Sequence, residues 1–401
     1  MKSTAVNWTA AAACFAVLAV PAQVRAQDPP RYHVKDLGAF ASGYGISSNG
    51  EVGGTVAASD QPGAPATAFL WRHGQFINLG TLGGANSGAS VVNTKGEVAL
   101  SSDTSSTDPY TEDFCATGTH HQCLAGVWKD YTLTPLLPLP NGHNSQAYGI
   151  NDPGEVIGFA ENGLYDPSCA SGTPFQKFRF QPVIWGTGGE IRRPLQPLPS
   201  DEVAFAWGIN NLGQAVGGSG SCSTTVLPPN IPFAEHGVLW EKDGTPTPIP
   251  GLGGAFTIPN AINNRGDVVG GAQSADGTGH VFLWTKASGT QDLHAFPNTQ
   301  ITVAPCCNTI NDSRQIVGFV IDNNGMQRAF LRQALPGQLH MTWFYLDDLL
   351  QQGSPWRLVA AESINDAGEI TGAGILNGEM HAFLATPCGD SNTETCGGLH
   401  R

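Results

Sequence analysis

Seven residues stand two positions before a recurring Ile or Val: Tyr44, Ser90, Tyr148, Trp207, Asn260, Asn308 and Glu362. Three aromatics, two amides and one carboxylate at equivalent places suit a polyhydroxylated ligand. Tyr and Trp offer a flat apolar face with a polar edge, and amides and carboxylates hydrogen-bond hydroxyls. The competing use of these positions is packing of the aromatics between repeats. Glu362 is the leading candidate for acid–base chemistry, because it is the lone carboxylate of the set. Asp201, Glu202 and His143 stand in loops leading into equivalent segments. A hydrolase or lyase acting on a polysaccharide needs such groups held together as a pair. The sequence has no nucleophile elbow, no HExxH and no phosphate loop.

Cysteine and histidine offer a second chemistry. Eight of the nine cysteines follow residue 26, an even number that favours disulfides over metal thiolates in an exported chain. Cys115 and Cys123 enclose CATGTHHQC; a Cys/His zinc cluster is the alternative, and a disulfide is expected. Cys169 and Cys222 fall in equivalent loops of adjacent repeats and are expected to pair, as are Cys388 and Cys396 near the end. Cys306-Cys307 remain, either as a vicinal disulfide forming a rigid platform for a ligand or cross-paired with another loop; spacing leaves the connectivity open. His236, His280 and His381 start equivalent segments. In the arrangement derived below neighbouring copies lie ~15 Å apart, beyond the reach of one zinc with ~2 Å bonds. They read as caps of strand ends, and no metal or other cofactor is expected.

The element that must position these residues is a repeat. AINNRGDVVGG, from Ala261 to Gly271, returns as GYGISSNGEVGG at Gly43, ASVVNTKGEVAL at Ala89, AYGINDPGEVIG at Ala147 and AWGINNLGQAVGG at Ala206. It continues as NTINDSRQIVG at Asn308 and ESINDAGEITG at Glu362. The anchors Ile46, Val92, Ile150, Ile209, Ile262, Ile310 and Ile364 are 46 to 59 residues apart, a period typical of repeat architectures. Asn followed by Gly between two strand-like runs is hairpin chemistry. The tripeptide Arg265-Gly266-Asp267 therefore reads as one such turn and not as an adhesion signal.

Each hairpin is followed by a third apolar run, such as AFLW at Ala68 or VFLW at Val281, and by a fourth, such as INLG at Ile77 or QDLHAF at Gln291. Four short strands per repeat predict an all-β fold, a seven-bladed β-propeller of four-stranded blades. The seventh copy lacks a fourth strand, while VKDLG, from Val34 to Gly38, precedes the first hairpin without a blade of its own. Pairing it with His381–Thr386 closes the ring through an N-terminal strand. In such a fold the first strands line a central channel. Loops between blades share one face with loops joining second and third strands, and this is the expected ligand face. The latter loops swell in the second, third and fourth repeats, 101–124, 161–180 and 219–235, and carry Tyr110, Asp113, His120, His121, Tyr165, Asp166 and Phe175.

Residues 1–26 carry Lys2, an apolar run from Ala10 to Val20 and small residues around Arg25, as a secretory signal peptide does. Residues 27–387 are expected to form one propeller, and 388–401 a disulfide-stapled tail. No other stretch approaches the ~20 apolar residues of a membrane helix. The formal charge of −14 disfavours nucleic acid and anionic lipid as partners. A monomer is expected, secreted or periplasmic, that binds a glycan or an extracellular protein. A polysaccharide-active hydrolase or lyase is the alternative.

The pattern IN-x-x-G-x-V-x-G (Ile262–Gly270), the run Gly279–Trp284, and LGG ahead of a first strand (Gly80–Gly84) resemble the HAF-type extracellular repeat proteins; His381-Ala382-Phe383 spells HAF itself. The resemblance extends from about Arg31 to Pro387. It implies an exported bacterial protein and no settled activity. The second copy is a weak match, and the sixth lacks its turn glycine.

Overall fold

Each repeat folds into a four-stranded antiparallel sheet, and seven sheets stand in a ring. The protein is a seven-bladed β-propeller. The computed structural model describes residues 29–171, 176–225, 234–294, 296, 299–303, 308–335 and 340–388. The expected leader (1–26), residues 389–401, Phe175, Cys306, Cys307 and Cys396 lie outside the described residues. The first strands of blades 1 to 7 are Ala41–Ile46, Gly83–Val92, Ser145–Ile150, Val203–Ile209, Gly253–Ile262, Thr299–Val303 and Arg357–Ile364.

The repeated Asn organises the turn and the ring together. In blade 4, Asn210 Oδ1 accepts the N–H groups of Leu212 and Gln214 at 3.1 and 3.0 Å. Its Nδ2 donates to Gln214 Oε1 at 2.9 Å and, across the blade boundary, to the Asn263 carbonyl at 3.0 Å. The cross-blade bond recurs. Asn93 donates to the Asn151 carbonyl, Asn151 to Asn210, Asn263 to Asn311, Asn311 to Asn365, and Asn365 back to Ser47, all at 2.9–3.0 Å. Blade 1 has Ser47 where the others have Asn, and Asn49 takes over by donating to the Thr94 carbonyl at 2.8 Å. Every blade boundary is thus clasped by an amide.

Asp267 of the RGD turn has a side chain only 4% exposed. It accepts the fork of Arg314 at 2.8 and 2.9 Å. Arg314 is the residue that replaces the turn Gly in the sixth copy, and it holds φ 59°, a conformation that normally favours glycine. Its guanidinium compensates by pairing with the preceding blade.

The ring closes as the sequence requires. Tyr32–Ala39 is the outermost strand of blade 7 and pairs antiparallel with Glu379–Pro387, Val34 opposite Ala385 and Lys35 opposite Leu384. This uses both free edges, which would otherwise be open to pairing. The core lies between the blades. Phe69, Trp185, Trp240, Phe282, Phe330 and Phe383, all from third strands, are fully buried. Trp185 and Trp240 donate their indole N–H groups to the carbonyls of Leu137 and Gln196, outside their own blades.

Asn210→Ala removes four hydrogen bonds, one buried and three part-buried, and we expect a loss of about 2–4 kcal/mol. Urea unfolding followed by tryptophan fluorescence should show a lower midpoint with an unchanged slope. Asn49→Ala, which cuts one solvent-exposed clasp, should cost less than ~1 kcal/mol in the same measurement.

Candidate functional site

Six of the inner strands are interrupted two residues before the anchor. Register shifts flank Tyr44, Tyr148, Trp207, Asn260 and Glu362, and Ser90 lies inside another. A bulge leaves one residue out of the ladder and re-aims its side chain. Six of the seven residues are therefore bulges around the channel, and the seventh, Asn308, sits in an isolated bridge to blade 7. The channel is narrow because the inner strands approach closely: a Cβ on Gly45 would stand 2.4 Å from the Ser90 carbonyl oxygen.

The ring is not symmetric. On the face of the enlarged loops a cavity of about 600 Å³ opens between blades 7, 1, 2 and 3. Tyr44, Ser90, Tyr148 and Glu362 line it, with Asn86, Ser87, Ser101 and Thr55 from the strands and 115–117 from the blade 2 loop. Tyr44 is 39% exposed. Glu362 is half-buried by its own surface, yet enclosed by the channel wall, and that burial pushes its carboxyl up to about 7. Among the described residues, none hydrogen-bonds the Glu362 carboxyl.

The opposite arc is filled. Trp207 is 4% exposed and packs on Phe205 and Tyr148, with ring centres 4.7 and 6.1 Å apart. Its Nε1–H has no acceptor among the described residues. Asn260 is buried, and Asn308 pairs by its backbone with blade 7, its carbonyl accepting the Ile364 N–H at 2.9 Å. None of these three lines the cavity. At the other end of the channel the Asn residues of the turns surround a much smaller space of about 110 Å³.

The other acid–base candidates serve the scaffold. Asp201 accepts from Ser219 Oγ at 2.6 Å and faces His236 Nδ1 at 3.0 Å. Glu202 pairs with Arg179 at 2.7 Å. His143 packs between Tyr110 and Phe178, with ring centres 5.2 and 5.4 Å away. None of them lines the cavity beside Glu362. His236, His280 and His381 each meet a different carboxylate, Asp201, Asp292 and Asp36, at 3.0, 2.8 and 2.9 Å. They do not converge.

The enlarged loops are braced to one another. Cys115–Cys123 and Cys169–Cys222 are disulfides, the second joining blades 3 and 4. Cys388 is also disulfide-bonded. Asp113 receives the N–H groups of Thr117 and Gly118 and shapes the blade 2 loop that forms the cavity rim. His120 Nδ1 meets the Thr111 carbonyl at 3.1 Å, and His121 lies at the base of the same loop. Asp166 pairs with Arg179 at 2.7 Å, and Tyr165 packs edge-on against Phe178. Glu112 reaches from the blade 2 loop to the Lys177 N–H in the blade 3 loop. Burial, with the Glu161 charge beside it, holds the Glu112 carboxyl well above the usual carboxylate range. Ser87, Ser101, Thr55 and Asn86 line the site without any signal in the sequence, because short polar residues in Gly-rich strands follow no pattern.

No protein-family profile and no curated protein matches this chain. Solved structures do. The β-propeller domain of the Trilobed protease from Pyrococcus furiosus superposes with a TM-score of 0.51 at 9% identity, covering 89% of this chain and 99% of that one. The acylaminoacyl peptidase of Pyrococcus horikoshii gives 0.47 at 11% identity; the match covers 84% of this chain and about half, 49%, of that one. At 9% identity the first of these likenesses is one of fold alone.

Glu362 has a folded value above its ordinary 4.5. The stability it contributes is fully present below about 4.5 and is lost as pH rises through about 7. Glu362→Gln removes this dependence. Between pH 4.5 and 8 the variant should gain ~1–3 kcal/mol relative to the wild type, because all other groups titrate alike in both. Paired urea titrations at the two pH values measure it.

Proposed function

We propose that this propeller is an exported binding module that holds a glycan in the cavity at its channel mouth. The observation that carries the reading is Glu362, a carboxylate without a hydrogen-bond partner among the described residues, facing a 600 Å³ space that Tyr44 and Tyr148 also line. A free carboxylate in a sheltered cavity accepts hydrogen bonds from sugar hydroxyls, and an exposed tyrosine face packs on a sugar ring. The small side chains of 87–90 and of Ala64 and Ala66, with Gly63, leave room for a ligand to lie across the opening. The disulfides support export, and the repeats support membership among the HAF-type proteins. No helix among the described residues is long and apolar enough to cross a membrane.

The second reading is a polysaccharide hydrolase or lyase. It is favoured by the Glu362 carboxyl, whose value of about 7 suits proton transfer near neutral pH. Glycoside hydrolysis ordinarily needs two carboxyl groups about the scissile bond. Glu362 is the single carboxylate among the described residues that line the cavity. Binding is therefore the leading reading.

Affinity electrophoresis of the mature protein through gels containing individual polysaccharides tests it. Reducing-end release and ultraviolet absorbance of unsaturated products are followed in parallel. We expect retardation by at least one glycan without new ends. Tyr44→Ala should weaken it about 10-fold with an unchanged circular dichroism spectrum. New ends that vanish in Glu362→Gln would establish the enzyme. Indifference to every glycan would overturn the sugar reading and leave a protein partner on the loop face.

A further inference from the structure

Three potential metal ligands meet on the outer rim of blade 5, away from the channel. His280 comes from the third strand (Gly279–Thr285), Asp292 ends the fourth strand (Gly289–Asp292), and His294 follows two residues later. Asp292 Oδ2 lies 2.8 Å from His280 Nδ1 and 3.1 Å from His294 Nδ1. One ligand atom from each residue falls within 4.8 Å of the other two.

The same turn elsewhere in the molecule isolates what is special here. Asp36-Leu37-Gly38 and Asn78-Leu79-Gly80 end the fourth strands of blades 7 and 1 as Asp292-Leu293-His294 does in blade 5. In all three, the side-chain oxygen of the first residue accepts the N–H of the third, at 2.9, 2.8 and 2.7 Å. The third residue has positive φ in each: 132° at Gly38, 76° at Gly80 and 60° at His294. Two blades use glycine where that conformation is free, and blade 5 holds a histidine in it, at a cost in strain. Blade 7 has the same third-to-fourth-strand clamp, His381 on Asp36, and stops there.

The turn also orients the ligands. Asp292 Oδ1 is taken by the His294 N–H, which leaves Oδ2 facing both imidazoles. His280 Nε2 lies 3.0 Å from the Thr278 hydroxyl, and that hydroxyl donates to Asp276 at 2.6 Å. This outer contact lets the hydroxyl accept the Nε2–H and presents Nδ1 as the lone pair. The His294 side chain is 75% exposed, so a cation can enter from solvent.

We propose that His280, Asp292 and His294 bind one divalent transition-metal cation of the zinc class. Tetrahedral coordination with bonds of ~2.0–2.2 Å places ligand atoms about 3.3 Å apart, close to the 2.8 and 3.1 Å from Asp292 to the two imidazoles. Two imidazoles and one carboxylate suit Zn²⁺, Co²⁺, Ni²⁺ or Cu²⁺, whereas Ca²⁺ and Mg²⁺ prefer all-oxygen sets. Water completes the sphere. The bound ion ties the end of blade 5's outermost strand to the strand inside it.

The test is titration of untagged, EDTA-treated mature protein with ZnCl₂ by calorimetry and with CoCl₂ by visible absorption. We expect one equivalent per chain, a higher Tm with zinc, and cobalt bands of a nitrogen–oxygen site. His294→Gly restores the residue used in blades 1 and 7, so it should fold at least as well without metal and bind zinc more than ~10-fold more weakly. Asp292→Asn should weaken binding likewise, and His381→Ala should leave it unchanged. The proposal is overturned if His294→Gly takes up zinc as the wild type does, or if the wild type shows no saturable uptake.

Discussion

The cross-blade amide bond is the interaction on which this molecule depends. A propeller blade buries its faces against two neighbours, and apolar packing alone sets neither the depth nor the angle at which they meet. The Asn side chain removes that freedom. It satisfies two N–H groups inside its own hairpin and sends its remaining hydrogens to the i+4 side chain and to the next blade. Each turn is thus indexed to the next, with Asn49 standing in where Ser47 breaks the series. The Arg314–Asp267 fork adds a charged link at the one turn that lacks glycine.

With one end of the channel tied by the clasps, the other end can vary. Blades 2, 3 and 4 carry the long loops there, cross-braced by the Cys169–Cys222 disulfide and by Glu112 against the blade 3 loop, while Cys115–Cys123 closes the blade 2 loop on itself. Aromatic residues of blades 3 and 4 fill one arc of the channel, and small residues of blades 1 and 2 leave the other open. The asymmetry turns a repetitive ring into one whose channel mouth opens on a single side. Glu362 faces that cavity because blade 7 adjoins blade 1 once the ring closes.

Much of this was legible in the chain. The hairpin signature, the missing fourth strand and the spare VKDLG segment determine blade count and closure, because strand pairing follows period and edge satisfaction. The disulfides of Cys115 and Cys169 were also readable, the first because its partner Cys123 lies in the same loop of an exported chain, the second because equivalent loops of adjacent repeats are neighbours in space. The candidate site was legible only in part. Equivalence placed seven residues around the channel, yet Trp207 is packed away while Tyr44 and Glu362 face open space. The difference lies in the neighbours, Phe205 and Tyr148 against Trp207, and sequence distance does not report them.

The histidines show the same division. Alignment of repeats compares His236, His280 and His381 across blades, where they are too far apart to act together. It gives no reason to look within blade 5, where a turn at His294 brings a second imidazole to Asp292. By itself the sequence determined the repeat, the ring and its closure, because those follow from local periodicity and turn chemistry. Tertiary structure alone decided which ring positions face a cavity and which side chains converge, because both depend on how neighbouring blades fill the space between them.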